Sequence, residues 1–148
     1  MAGTPSSGMV SHLGHVHLRV RELDRAIDFY TEVLGLEVTE RVGRYAFLSF
    51  GVHHHDVALQ AIGADAPAPS DGVGLYHAAF EVETPAELRA TYEGLIDRGV
   101  DVSPVDHGIS KALYFEDPSG NGLELYLDTR ERIDEWSGRN ERFDPTAL

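Results

Sequence analysis

Apolar residues along this chain fall into short runs of two different periods, and the same alternation occurs twice. Leu23, Ala26, Ile27, Tyr30, Val33 and Leu34 recur at helical spacing, and Gly35 can end that helix. Leu88, Tyr92, Leu95 and Ile96 form a second helical stripe. It follows Thr84 and Glu87 in a capping-box pattern, with Pro85 at the first helical position, and Gly99 can end it. A short strand-like segment bearing a histidine precedes each helix: Gly14–Val20 with His15 and His17, and Leu75–Val82 with His77. Three more strand-like runs follow each helix. They are Leu36–Val42, Tyr45–Phe50 and Asp56–Ile62, then Val100–Val105, Ala112–Phe115 and Leu123–Leu127. The order βαβββ is therefore written twice.

This pattern predicts an α+β fold: two βαβββ repeats forming one open-barrel-like mixed sheet around a shared cavity. The 148 residues, 42% of them apolar, suit a single domain. Repeat one covers about residues 12–62, a linker about 63–74 and repeat two about 75–128. The charged tail, 129–148, has Ile133, Trp136, Phe143 and Leu148 as its only large apolar groups, and reads as a short helix or an extended arm.

Composition narrows the chemistry. The chain has no cysteine, which excludes disulfides, thiolate metal sites and a cysteine nucleophile. No apolar run is long enough to span a membrane, and the small, polar start, Met1–Gly8, lacks the features of a secretory signal, so the cytoplasm is the expected location. A net charge of −13 should repel nucleic acid and anionic membranes. A solvated acidic surface accounts for that charge; adaptation to high salt is the narrower alternative.

Eight histidines stand out, most of them near strand ends. His15 and His17 share one strand face, because side chains alternate, and His77 takes the matching place in the second repeat. Glu124 lies inside the apolar run Leu123–Leu127, where an unpaired carboxylate is costly to bury, and a metal ion is one candidate to compensate it. Two histidines and a carboxylate without sulfur suit Fe(II), Mn(II), Ni(II) or Zn(II). An octahedral ion would keep three positions open. His53-His54-His55 reads either as a polar loop or as a source of an acid/base imidazole at the cavity rim. His107 and Tyr114 can hold a substrate oxygen, although Tyr114 equally suits a core position. His12 suits a structural or exposed place.

The doubled plan with His15, His77 and Glu124 resembles the vicinal oxygen chelate superfamily over about residues 12–128. That group includes glyoxalase I, the bleomycin- and fosfomycin-resistance proteins, methylmalonyl-CoA epimerase and the type I extradiol dioxygenases. Within it, His107, Leu113-Tyr114, Asp117-Pro118 and Glu124 resemble the extradiol ring-cleavage signature. His54-His55 before an apolar strand resembles the segment that carries the catalytic acid/base.

The resemblance implies that His15, His77 and Glu124 bind Fe(II), with Mn(II) or another divalent metal as alternatives. It implies a catechol-type substrate held near Tyr114 and His107, O2 as co-substrate, and His55, with His54 next in line, as the proton shuttle. The reaction would serve breakdown of aromatic compounds. Many such dioxygenases have two module pairs and this chain has one, so a homodimer could supply the missing cavity wall. Glyoxalase I has a further glutamate ligand near the position of Ala58, which disfavours that activity here. Metal-dependent lyase, transferase or epimerase chemistry on the same triad is a second reading. A non-catalytic binder of small drugs is a third.

Overall fold

The computed structural model describes residues 8–130 and 135–148. Most of the N-terminal segment considered above, residues 1–7, and Ile133 lie outside the described residues. The first repeat comprises β1 (Val16–Val20), α1 (Leu23–Glu32), β2 (Glu37–Val42), β3 (Tyr45–Ser49) and β4 (Val57–Ala61). The second comprises β5 (Ala78–Val82), α2 (Pro85–Asp97), β6 (Ser103–Asp106), β7 (Ser110–Glu116) and β8 (Gly122–Asp128). Strand order is β1-β4-β3-β2 in one sheet; in the other it is β5-β8-β7-β6, with β9 (Glu141–Arg142) added at the edge of β6. Within each repeat the first and last strands pair in parallel and the remaining pairs are antiparallel. The α+β plan therefore takes the form of two mixed sheets, of four and five strands, with no closed barrel.

Alternation along the strands decides which face is covered. On β1, Leu18 and Val20 are buried while His17 and Arg19 are exposed. Leu18 stands opposite the buried Leu59, and Ala26, Phe29 and Tyr30 of α1 join them in the core. On β5 and β8, Ala78 stands opposite Leu123, and both pack with Leu88 and Leu95 of α2. Burying each of these leucines contributes roughly 1.5–3 kcal/mol. The other sheet faces have no helix over them: Ala79 and Glu81 are exposed, as are His17 and Arg19. The helix signals act as anticipated. The Thr84 hydroxyl accepts from the Glu87 N–H at 3.2 Å, and Gly99 takes a left-handed φ of 74° just beyond α2.

The halves lie against each other through one continuous core. Phe29 and Phe115 approach to 6.3 Å between ring centres, and the buried Tyr30 hydroxyl donates to Asp117 Oδ2 at 2.8 Å. Burial, and then the Asp117 carboxylate, push the Tyr30 phenol far above its ordinary pKa, so it remains a donor. Asn121 extends the link by donating its side-chain amide to the Arg19 carbonyl, and the Arg21 N–H donates to Ser119 Oγ. Of the tail, the structure describes residues 129–130 and 135–148. The tail adds β9 to β6, ends in a 3-10 turn at Pro145–Ala147, and packs Phe143 and Leu148 on the core. No helix of the described residues is long and apolar enough to cross a membrane.

Candidate metal centre

His77 lies one residue ahead of β5, and Glu124 lies on β8. The parallel register puts Ala79 opposite Glu124, and the antiparallel register puts Tyr114 of β7 on its other side. Residues two apart on a strand share a face, so this pairing brings His77 and Glu124 together. His77 Nε2 is 3.1 Å from Glu124 Oε1, and the Glu124 side chain is only 12% exposed. Ligands of one divalent ion with bonds of about 2.0–2.2 Å stand about 3 Å apart when adjacent, so these two atoms fit a shared metal. His77 Nδ1 is buried with no hydrogen-bond partner among the described residues.

Behind Glu124 the line of polar groups continues. His107 Nε2 is 2.7 Å from the Tyr114 hydroxyl. Burial first, and the Glu124 carboxylate next, push the Tyr114 pKa up to about 12, so its hydroxyl keeps its proton at neutral pH. An open groove of about 1470 Å³ between the halves is lined by His17, Arg19, His77 and Tyr114, among others.

The first repeat carries the other histidines. His15 precedes β1 and lies 4.4 Å, ring to ring, from His55, which also packs on Phe47 at 5.0 Å. His54 Nε2 is 3.2 Å from Glu40 Oε1, and His54 Nδ1 is 2.9 Å from His55 Nδ1. A carboxylate only accepts, so in the neutral form of His54 the proton sits on Nε2 and Nδ1 accepts. His55 then donates from Nδ1 and keeps a free lone pair on Nε2. Burial first, with His15 and His54 next, lowers the His55 pKa and favours the neutral form. Glu40 thus belongs to this constellation, though a glutamate in an exposed, charged strand carries no signal of it in the sequence. His12 stacks on His53 at 5.9 Å on the exposed surface.

The resemblance places His15, His77 and Glu124 on one metal. Among the described residues, no three His, Cys, Asp or Glu side chains stand close enough to share an ion. The halves are tied where Tyr30, Phe29 and Arg21 of the first repeat meet Asp117, Phe115 and Ser119 of the second. His15 stays with His55 at one sheet, and His77 with Glu124 at the other. The register also settles the place of Ala58: it stands opposite His17 as Glu124 stands opposite Ala79, so the first repeat has no matching carboxylate there.

Gly122 sets the approach of the two ligand strands. A Cβ there would lie 2.5 Å from the Tyr76 carbonyl oxygen and 3.5 Å from His77 Cβ. Gly122→Ala is expected to cost about 1–3 kcal/mol of stability and to weaken metal uptake by displacing His77. Thermal unfolding together with metal titration checks this; unchanged values for both would show that the strand pair tolerates the methyl group.

Comparison with known proteins agrees with this architecture. The family model of the Glyoxalase/Bleomycin resistance protein/Dioxygenase superfamily matches residues 12–125. The chain is 34% identical over 119 residues to a catechol-2,3-dioxygenase of Bacillus subtilis (strain 168), covering 80% of this chain and 42% of that protein. It is 33% identical over 125 residues to biphenyl-2,3-diol 1,2-dioxygenase 2 of Rhodococcus globerulus, covering 82% and 65%. The chain thus spans less than two thirds of either relative. The solved glyoxylase/bleomycin resistance protein/dioxygenase domain from Frankia sp. EAN1pec superposes with a TM-score of 0.67 at 26% identity, covering 80% of this chain and 98% of that one. With the doubled βαβββ plan, the extent of the family match and these relatives taken together, the chain belongs to the glyoxalase/bleomycin resistance protein/dioxygenase superfamily.

Proposed function

We propose that the chain is a metal-dependent extradiol ring-cleaving dioxygenase that acts on a catechol-type aromatic with O2, as a cytoplasmic homodimer. The observation that carries this reading is the continuous line His77, Glu124, Tyr114 and His107, with a 3.1 Å ligand pair at one end and a 2.7 Å hydrogen bond at the other. Two relatives whose names specify aromatic diols support it. Within the reading, His15, His77 and Glu124 hold the metal, Fe(II) or Mn(II). Because one chain keeps His15 apart from the other two, the His15 of each site comes from a second copy of the chain. The bound metal would supply a Lewis-acid site for both diol oxygens and a means of activating O2. Tyr114 and His107 orient one diol oxygen. His55, presenting its Nε2 lone pair, takes a diol proton and returns it as the ring opens.

The test is anaerobic reconstitution with Fe(II), and separately with Mn(II), followed by catechol or biphenyl-2,3-diol and air. A yellow ring-cleavage product is the expected result. A chain that binds metal yet cleaves neither diol would overturn the dioxygenase reading and leave the transferase or epimerase alternatives. His55→Ala is expected to lower kcat by about 10²–10⁴-fold with metal content unchanged. Wild-type turnover in that variant would remove His55 from the role.

A further inference from the structure

The tail contributes a feature that the proposed chemistry does not use. Just ahead of β9, residues 136–139 lie against His107. The Arg139 carbonyl lies 3.1 Å from His107 Nδ1 and also accepts the Trp136 indole N–H at 3.1 Å. The Trp136 ring meets the His107 ring edge to face, 6.0 Å between centres. Gly138 supplies the left-handed φ of 87° inside this turn. The Arg139 guanidinium anchors it to Asp106 and Glu141 at 3.3 and 2.9 Å. Pairing of β9 with β6 holds the far end. Several independent contacts thus converge on one imidazole.

The chemistry of that imidazole follows from its neighbours. A carbonyl oxygen only accepts, so the His107 proton resides on Nδ1. The neutral ring then has a lone pair on Nε2, facing the Tyr114 hydroxyl. Tyr114 has one proton and two acceptors beside it, His107 Nε2 and the Glu124 carboxylate. If Nε2 carried the proton instead, Nδ1 would face the Arg139 carbonyl lone pair to lone pair. The turn removes that choice and keeps His107 Nε2 an acceptor for the Tyr114 proton.

We infer that the Trp136–Arg139 turn is a positioning cap: its Arg139 carbonyl fixes His107 as the Nδ1–H tautomer, which turns Tyr114 into a hydrogen-bond acceptor for a substrate hydroxyl. Trp136 is the positioning residue, since its indole N–H holds the same carbonyl in place. The consequence for catalysis rests on the dioxygenase reading; the tautomer itself does not.

The test uses the full-length, metal-free protein and long-range nitrogen–proton NMR correlations of the imidazole rings, compared with Trp136→Ala. Trp136 is 56% exposed, so this variant is expected to fold. Wild-type His107 is expected to carry its proton on Nδ1. In Trp136→Ala the ring is expected to lose that preference, with signal shifting toward the Nε2–H form. An Nε2–H tautomer in the wild type, or the same tautomer in both proteins, overturns the inference. On metal-loaded protein, Trp136→Ala is expected to lower diol turnover about tenfold at unchanged metal content. If no diol is cleaved at all while the tautomer switches as expected, the dioxygenase reading fails and the cap stands. Diol cleavage with no tautomer change sinks the cap alone.

Discussion

Asp117→Ala is expected to cost about 3–5 kcal/mol of unfolding free energy, the range seen when one partner of a buried, hydrogen-bonded charge network is removed. The Asp117 carboxylate is 4% exposed. It accepts from the Tyr30 hydroxyl at 2.8 Å, the Ser119 N–H at 2.8 Å, the Asn121 N–H at 3.0 Å and the Asn121 side-chain amide at 2.9 Å. Removing it strands a phenol inside the core and frees two backbone donors of the turn that leads into β8. Asn retains one acceptor oxygen, so Asp117→Asn is expected to lose less than Ala. Urea denaturation of the three proteins measures both values. A loss below about 1 kcal/mol for the alanine variant would mean that water replaces the carboxylate without penalty, and that the turn does not depend on it. The consequence reaches the site, because this turn delivers Glu124 to His77 and ties the second repeat to the first.

That network also shows where sequence reasoning reaches and where it stops. The two helices and most of the strands are local events. Helical spacing of Leu88, Tyr92 and Leu95, the cap at Thr84 and the stop at Gly99 need no knowledge of the rest of the chain. The pairing of His77 with Glu124 is nearly as readable, because an awkward carboxylate in an apolar strand demands a partner and the repeat points to one. The separation of His15 from that pair is not readable. Nor is the meeting of Tyr30 with Asp117 across 87 positions, a contact with no periodicity to announce it. Glu40 and Trp136 were missed for a related reason. Each sits in a polar, exposed segment, and its role follows only from which imidazole nitrogen it faces or whose carbonyl it holds. Residue type announced the histidines; tautomer, and hence function, is set by neighbours distant in the chain.

His15→Ala and Glu124→Ala are each expected to reduce diol turnover about a thousandfold or more, the several kcal/mol that a Lewis-acid metal supplies. Mixed with each other, they are expected to recover. If His15 of one copy completes the pair His77 and Glu124 of another, a mixed dimer has one site with both substitutions and one with neither. Random reassociation makes half of the dimers mixed, and each has one intact site of two, so about a quarter of wild-type activity and metal content should return. A site built within one chain gives no recovery, because every chain in the mixture lacks a ligand. The experiment therefore separates the two assemblies without a structure of either. Mixed dimers demonstrated by mass, with neither metal nor turnover regained, would exclude the shared site. The geometry favours recovery: the exposed face of the first sheet offers His15 beside His55, and the second offers His77 beside Glu124 and Tyr114. Among the described residues no third ligand joins either half-site, and two copies related by a two-fold axis would supply both complements at once.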